Sequence, residues 1–189
     1  MINIAILASG SGSNAQRIIE YFSANTNIVF PFIITNKEDA FVRERAKNLG
    51  IKSIYLSKDE ILQTDSLLNL LKANKIDWIV LAGFLLLLPS EIIHEFKDKI
   101  INIHPALLPK YGGKGMYGMR VHEKVIAEKE KESGITIHFV SERYDEGKII
   151  FQAKCKIDIN DNPMTLAENI HLLEYEYFPK VLEKLIFKL

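Results

Sequence analysis

Apolar segments of strand length alternate with amphipathic segments of helical period along most of this chain. The apolar runs predict β-strands over Asn3–Ala8, Val29–Thr35, Ser53–Leu56, Trp78–Ala82, Ile100–His104, Ile135–Val140 and Lys148–Ile157. The amphipathic segments predict helices over Asn14–Phe22, Asp39–Leu49, Lys58–Ala73, Ser90–Phe96, Val121–Glu130 and Met164–Phe187. This alternation indicates an α/β fold.

The early strands are apolar throughout, which is typical of strands that helices cover on both faces. They predict a doubly wound, mostly parallel sheet. The last two strands are separated only by residues 141–147, so we predict an antiparallel carboxyl-terminal hairpin. Because no low-complexity linker or internal repeat interrupts the pattern, we predict a single domain over residues 1–189.

Charge and cysteine content narrow the setting. Lys plus Arg and Asp plus Glu both number 24, and a net charge of zero argues against nucleic-acid partners or an acidic membrane surface. The longest apolar run, Ile79–Leu88, is too short to span a bilayer, and the amino terminus lacks the features of a signal peptide. Cys155 is the single cysteine, so no intrachain disulfide forms. We therefore expect a cytoplasmic protein.

The most informative polar residues lie at the end of the strand Ile100–His104. Residues two apart on a strand share a face, so Asn102 and His104 point to the same side. Pro105 and Pro109 prevent the strand from continuing, which places the pair at its carboxyl end. Open α/β sheets bind their ligands at this end.

A glycine-rich segment, Ser9–Asn14, joins the first strand to the first helix. Its small residues and the helix N-terminus favour an anion such as phosphate. The last glycine of a dinucleotide fingerprint is replaced by Ala15, and no Lys-Ser or Lys-Thr pair follows, so a phosphomonoester site is the better interpretation. A tight turn in which Ser13 or Asn14 caps the helix is about equally compatible with these residues.

Asp145, in the predicted hairpin loop, completes a candidate catalytic group with Asn102 and His104. A carboxylate orients a nearby imidazole and raises its pKa, and an amide and an imidazolium both donate to a forming oxyanion. No motif places a serine or cysteine nucleophile with them, which favours direct attack by a substrate amine or by water. An isolated Asn-x-His by itself indicates only satisfied backbone groups at a strand end.

Five ordered segments carry a resemblance to a known family. They are Ser9–Asn14, Leu81–Phe84, Asn102–Tyr111, Gly134–Val140 and Asp145–Gln152. Together they resemble the folate-dependent formyltransferases, and within that family the members that formylate glycinamide ribonucleotide in purine synthesis. The resemblance implies a Rossmann-like fold and formyl transfer from 10-formyltetrahydrofolate, a co-substrate, to the ribonucleotide amine. Members that act on methionyl-tRNA are longer, and a related formyl-folate hydrolase usually has an additional amino-terminal domain.

The resemblance also implies roles for individual residues. Asn102 would donate to the formyl oxygen, His104 would stabilise the oxyanion, and Asp145 would accept the amine proton. The phosphoribosylglycinamide contacts would be Gly12, Ser13, Asn14 and Glu174. The folate contacts would be Leu85, Leu86, Leu87, Leu88, Asn102, Ser141, Tyr144 and Lys58.

Some positions depart from the family pattern or allow two interpretations. Many relatives have an arginine where this chain has Leu85–Leu88, so a contact to the folate tail is lost. The segment Gly112–Arg120 is compatible with a mobile flap or with a plain glycine-rich connection, and Lys58 with a ligand contact or an exposed helix start.

The remaining expectations concern metals, assembly and rival functions. No histidine pair has the spacing of a metal site, so we expect no metal. His138, in a predicted strand, is a candidate for orienting the catalytic residues without contacting the substrate. We expect small-molecule substrates and a monomer or homodimer. The rival functions are a formyl-folate hydrolase, a formyltransferase acting on another amine such as an amino sugar, and a nucleotide-binding protein without enzymatic activity.

Overall fold

A computed structural model describes residues 1–188, and the chain divides into two compact units, Met1–Asn102 and Ile103–Leu189. The division falls within one strand, β6 (Ile100–His104). The first unit contains β1 (Ile2–Leu7), α1 (Ser13–Tyr21), β2 (Ile28–Val29), β3 (Phe32–Thr35), α2 (Val42–Asn48), β4 (Lys52–Tyr55), α3 (Lys58–Leu62), α4 (Asp65–Ala73), β5 (Trp78–Leu81), α5 (Ser90–Glu95) and the start of β6.

The first unit is built on a parallel sheet with β1 at its centre. Strand β1 pairs with β3 on one side and with β5 on the other, and β4 and β6 extend the sheet outward from these neighbours. All these pairings are parallel, and the chain builds the sheet in both directions from β1, as predicted for a doubly wound fold. The core is formed by fully buried aliphatic residues such as Ile4, Ile6, Ile33, Ile34 and Ile79.

Two predicted elements of the first unit are each divided in the structure. The predicted strand Val29–Thr35 is interrupted at residues 30 and 31, because Pro31 cannot donate a ladder hydrogen bond. The predicted helix Lys58–Ala73 breaks at residues 63 and 64, where Thr64 has a positive φ of 64° that a right-handed helix does not tolerate. Both corrections leave the parallel sheet and its order intact.

The second unit contains the end of β6, α6 (Met119–Ala127), β7 (Glu132–Phe139), β8 (Ile149–Lys156) and α7 (Pro163–Phe187). Strands β7 and β8 form the predicted antiparallel hairpin, and a register shift occurs between Ile137 and His138. Asn162 caps α7 by accepting hydrogen bonds from Met164 and Thr165, and Pro163 occupies the first turn, where its missing N–H has no cost. The α/β class, the parallel sheet and the hairpin are therefore confirmed.

Within residues 1–188, none of the helices combines the length and the apolar character that crossing a membrane would require.

Candidate active site

The second unit holds a buried cluster of two imidazoles and one carboxylate. The Asp145 carboxylate lies between His104, whose Nδ1 is 3.5 Å from Oδ2, and His138, whose Nε2 is 3.7 Å from Oδ1. The side chain of Asp145 is 11% exposed, and both histidines are buried. The structure therefore brings together two of the three predicted catalytic residues, His104 and Asp145.

Backbone groups hold the outer nitrogen of each imidazole. His104 Nε2 lies 2.7 Å from the carbonyl oxygen of Tyr111, and His138 Nδ1 lies 2.8 Å from that of Phe139. A carbonyl only accepts, so each of these nitrogens carries a hydrogen, which we assign from this geometry. In the neutral ring of His104, the bare Nδ1 therefore faces Asp145. A proton added to that ring lies between Nδ1 and the carboxylate.

The backbone around Asp145 is shaped to present its carboxylate. Asp145 has a positive φ of 58°, which is uncommon for a residue other than glycine. Its Oδ2 accepts a hydrogen bond of 2.8 Å from the backbone N–H of Gly113. A Cβ on Gly112 would lie 3.2 Å from the Cβ of Asp145 and 2.5 Å from Leu108, so a glycine is needed for the close approach of this loop.

Burial and the neighbouring charges shift the pKa values of this cluster in opposite directions. Burial tends to raise the pKa of Asp145, but the hydrogen bond from His138, the charge of His104 and the Gly113 N–H outweigh it and lower that pKa. Burial lowers the pKa of His104, and this effect exceeds the opposing effects of the Asp145 charge and the Tyr111 carbonyl. The Asp145 carboxylate thus raises the pKa of His104, as expected, but burial outweighs this effect and the net shift is downward.

The remaining predicted catalytic residue, Asn102, precedes His104 by two residues in β6. The alternation of a strand places the two side chains on one face. Asn102 is half-buried, whereas the apolar residues Ile101 and Ile103 on either side of it are buried.

A buried hydrogen-bond network in the second unit fixes the turn that follows His104. Thr136 Oγ1 donates to the carbonyl of Ala106 at 2.7 Å and accepts from the backbone N–H of Leu108 at 3.0 Å. Gln152 Nε2 donates both to Thr136 Oγ1 and to the carbonyl of Leu108. Because Thr136 and Gln152 lie opposite each other in the β7–β8 ladder, the hairpin anchors the turn directly.

The loop Ser9–Asn14 forms a separate candidate site in the first unit. Gly12 is the N-cap of α1 with a φ of 74°, and a Cβ there would lie 2.3 Å from Val42 Cγ2. No side chain caps this helix, so the predicted capping role of Ser13 or Asn14 is not observed at its N-cap. The N-terminus of α1 thus faces the loop without a competing side-chain oxygen at the N-cap, as an anion site requires.

Arg45 holds this loop, and sequence reasoning did not identify it. Its Nε donates to the carbonyl of Ser11 at 2.9 Å, and its Nη1 donates to Gln16 Oε1. The backbone N–H of Val42 also donates to the carbonyl of Gly10. Helix α2 therefore fixes the loop and places a positive charge beside it, which strengthens the case for an anion.

The predicted folate-contact residues of the first unit lie in different environments. Leu85 is 37% exposed and Leu86 and Leu87 are half-buried, whereas Leu88 is only 3% exposed. The backbone N–H of Leu85 already donates to Ser9 Oγ at 2.9 Å. Lys58 is exposed at the start of α3, directly after the capping residue Ser57.

The other predicted contacts lie in the second unit. Tyr144 is 37% exposed in the loop between β7 and β8, and Ser141 Oγ accepts from the backbone N–H of Arg143 in the same loop. Glu174 is buried in α7. Burial raises the pKa of the Cys155 thiol in β8, which disfavours a thiolate nucleophile there.

The segment Gly112–Arg120 has two structural parts. Gly113 contacts Asp145 through its backbone, whereas Gly118 is the N-cap of α6 and Met119 and Arg120 begin that helix. The described residues include no group of three or more His, Cys, Asp or Glu arranged to hold a metal ion.

Comparison with known proteins identifies related chains. A model of the formyl transferase family matches residues 2–182. The chloroplastic phosphoribosylglycinamide formyltransferase of Arabidopsis thaliana is 38% identical over 186 residues, which are 94% of this chain and 63% of the plant protein. The trifunctional purine biosynthetic protein adenosine-3 of Drosophila melanogaster is 35% identical, with 97% of this chain and 14% of that protein covered. This chain therefore spans less than two thirds of these relatives.

Solved structures of phosphoribosylglycinamide formyltransferases also resemble this chain, over nearly its full length. The phosphoribosylglycinamide formyltransferase of Streptococcus pneumoniae TIGR4 superposes with a TM-score of 0.87 at 31% identity, covering 98% of this chain and 99% of that one. The enzyme of the same name from Bacillus halodurans has a TM-score of 0.87 at 34% identity, with 97% and 95% covered.

Proposed function

Because this chain belongs to the formyl transferase family, we propose that it transfers a formyl group from 10-formyltetrahydrofolate to the amine of glycinamide ribonucleotide in purine biosynthesis. The observation that carries the proposal is the buried Asp145 carboxylate, with ring nitrogens of His104 and His138 facing it. An amine that attacks a formyl carbon must lose a proton, and this cluster has a place to bind one. The names of the relatives support the choice of acceptor.

The proposed reaction begins with attack of the ribonucleotide amine on the formyl carbon. A new C–N bond forms and the formyl oxygen becomes an oxyanion, to which the Asn102 amide donates a hydrogen bond. The amine proton passes, directly or through water, to the Asp145 carboxylate and from there to the facing Nδ1 of His104. His104 thereby becomes an imidazolium, whose positive charge stabilises the oxyanion.

The second half of the reaction returns the proton. The tetrahedral intermediate collapses when the bond between the formyl carbon and the folate nitrogen breaks. The leaving nitrogen receives a proton, so the products are the formylated ribonucleotide and tetrahydrofolate. One proton leaves the amine and one reaches the folate, and the cluster returns to its starting state.

Substrate binding divides between two sets of residues in this proposal. Gly12, Ser13 and Asn14 bind the ribonucleotide phosphate through the loop that Arg45 holds, and Glu174 contacts the glycinamide part. The folate binds against Ser141 and Tyr144 of the second unit. In the first unit it contacts Asn102, Lys58 and the run of leucines Leu85, Leu86, Leu87 and Leu88. Leu85 makes its contact through a group other than its backbone N–H, which Ser9 already binds.

A transfer assay tests the proposal. The purified protein is incubated with 10-formyltetrahydrofolate, with and without glycinamide ribonucleotide, while absorbance reports deformylated folate and mass spectrometry reports the product. We expect folate turnover only with the ribonucleotide, and a formylated product. The Asp145→Asn variant, prepared identically, excludes a contaminating enzyme.

Other outcomes would contradict the assignment in different ways. Turnover without an acceptor would indicate a formyl-folate hydrolase. Turnover with an amino sugar but not with the ribonucleotide would indicate a different amine. Absence of turnover without an acceptor, with the ribonucleotide and with an amino sugar would favour a binding protein without this activity.

A further inference from the structure

Tyr111 connects the candidate active site to the carboxyl-terminal end of α6. Its carbonyl oxygen lies 2.7 Å from His104 Nε2, and its phenol donates toward Glu128 Oε2 at 2.6 Å and Glu130 Oε1 at 2.7 Å. Both carboxylates follow the last residue of α6, Ala127. One residue therefore contacts the imidazole with its backbone and a separate surface cluster with its side chain.

The backbone of Tyr111 needs support from such contacts. Its φ is +59°, a left-handed conformation that is unfavourable for a residue other than glycine. Such conformations persist where the surrounding structure holds them. The left-handed turn at Tyr111 also sets the direction of its carbonyl group. The contacts that hold the turn therefore determine the position of the carbonyl oxygen that His104 Nε2 contacts.

The phenol and its two acceptors form a stable tether. Burial raises the pKa of Tyr111, and the hydrogen bonds to Glu128 and Glu130 raise it further. The phenol therefore stays protonated and acts as a hydrogen-bond donor. Lys124 lies 3.0 Å from Glu128, and Lys110 lies 2.7 Å from Glu130. These ammonium groups keep both carboxylates charged and close to the phenol.

We propose that Tyr111 is a positioning residue, whose phenol tether to Glu128 and Glu130 fixes the turn that presents its carbonyl to His104. Through that carbonyl, the tether holds the imidazole with Nδ1 toward Asp145. The kinetic consequence of this inference rests on the proposed function. The structural consequence, the orientation and titration of His104, does not.

The effect of the tether on His104 can be separated from the effects of the charged groups around this ring. The charged and titratable groups that act on His104 are Asp145 from the β7–β8 loop, His138 from β7 and His122 from α6. Replacing Tyr111 with phenylalanine removes none of them and retains the carbonyl itself. Only the hold on the carbonyl is lost.

The Tyr111→Phe variant is the direct test. We expect kcat to fall about 10-fold or more, because small displacements of a catalytic group have effects of this size, while both KM values stay within about 2-fold. The proton NMR titration of His104, assigned among the 5 histidines by its substitution, gives a readout independent of activity. We expect the pKa of His104 to decrease further, because its bond to the Tyr111 carbonyl favours the protonated ring.

A second variant tests the same tether from its other end. Glu128→Ala combined with Glu130→Ala should reproduce both effects, and adding Tyr111→Phe should change neither further. This variant also decides the question if Tyr111→Phe does not fold. Glu132→Ala is the matched control, because it breaks a comparable exposed ion pair with Lys154, at 2.6 Å in the same unit, and should leave both readouts unchanged.

A Tyr111→Phe protein with an unchanged His104 titration would overturn the inference, whatever its activity. If the wild-type protein showed no formyl transfer, the proposed function would fail, but the titration would still decide the role of the tether. A lowered His104 pKa in both tether variants, with none in the control, would support it.

Discussion

The two candidate sites achieve their chemistry by different means. The loop Ser9–Asn14 is one continuous segment that offers backbone groups and a helix N-terminus. The cluster in the second unit consists of side chains from β6, β7 and the loop before β8, and His104 lies far in sequence from His138 and Asp145. A continuous backbone site is suited to binding an anion, whereas a buried group of titratable side chains is suited to moving a proton.

This difference has consequences for mutation. Side-chain changes in the cluster should act on the chemical step and alter kcat. Changes at the loop should act on the backbone conformation, and so on stability and the KM of the phosphorylated substrate. Results that reversed these assignments would break the comparison.

The largest effect is expected at Asp145. Asp145→Asn removes the carboxylate that accepts the amine proton and should lower kcat by about 10² to 10⁴-fold, with KM values little changed. Steady-state kinetics with both substrates measure this split. The neighbouring Glu146→Gln is the matched control, because Glu146 is exposed and pairs only with the exposed Arg143 among the described residues. An Asp145→Asn variant that retained wild-type kcat would remove this carboxylate from the mechanism.

The next effect is expected at Gly12, in the loop. Gly12→Ala adds a Cβ at 2.3 Å from Val42 to a residue with a positive φ, so the free energy of unfolding should fall by about 2 to 4 kcal/mol. Urea denaturation measures this change. Gly10→Ala is the control, because its Cβ would meet nothing within 4 Å and its φ is not positive, and it should change stability by less than about 0.5 kcal/mol. Equal effects at both glycines would contradict the backbone argument.

A third buried histidine, His122, sharpens the comparison within the second unit. It is 3% exposed, its Nδ1 has no hydrogen-bond partner among the described residues, and no nearby carboxylate offsets its burial. Burial, with smaller contributions from the charges of His171 and His104, lowers its pKa to about 4. The unfolded chain therefore binds a proton to His122 between pH 6.5 and about 4, and the folded chain does not.

Stability should consequently fall as pH decreases through this window. His122→Leu removes the effect and should make the protein less sensitive to acid, by about 1 to 2 kcal/mol between pH 6.5 and 4. Thermal unfolding at several pH values measures the difference between the two slopes. Parallel slopes for wild type and variant would mean that His122 is protonated in the folded protein as readily as in the unfolded chain.

The smallest effect is expected at Arg45. Arg45→Met removes the hydrogen bond to Ser11 and a positive charge beside the loop, so the KM for the phosphorylated substrate should rise about 5- to 10-fold at unchanged kcat. Inhibition by inorganic phosphate should weaken in parallel. Arg43→Met is the control from the same helix, since Arg43 donates to Glu38 instead of the loop. An equal change in both variants would indicate a general charge effect.

The sequence predicted those features that depend on local pattern. Continuous apolar runs identified the strands, and Ile100–His104 has the same bounds in the structure. The glycine loop and the face shared by Asn102 and His104 also follow from local geometry. The two divided elements were missed because Pro31 and the positive φ of Thr64 interrupt patterns that are continuous in hydrophobicity.

The remainder depends on tertiary packing, which no periodicity records. Asp145 could be connected with His104 only as a chemical combination and through the family resemblance, and their separation depends on the loop around Gly113. The roles of Arg45 and Tyr111 depend on contacts between segments distant in sequence. The sequence indicated that the carboxylate raises the pKa of His104, but it does not quantify burial, which lowers that pKa by more.

The central claim is that His104 and Asp145 accept a proton as one unit, and a double-mutant cycle on kcat tests it most directly. The protein is assayed as wild type, His104→Ala, Asp145→Ala and the double variant, after circular dichroism confirms that each is folded. We predict that the double variant is no slower than the slower single variant, because either substitution already destroys the unit. Losses that multiply in the double variant would contradict the account, because they would show that the two residues act independently.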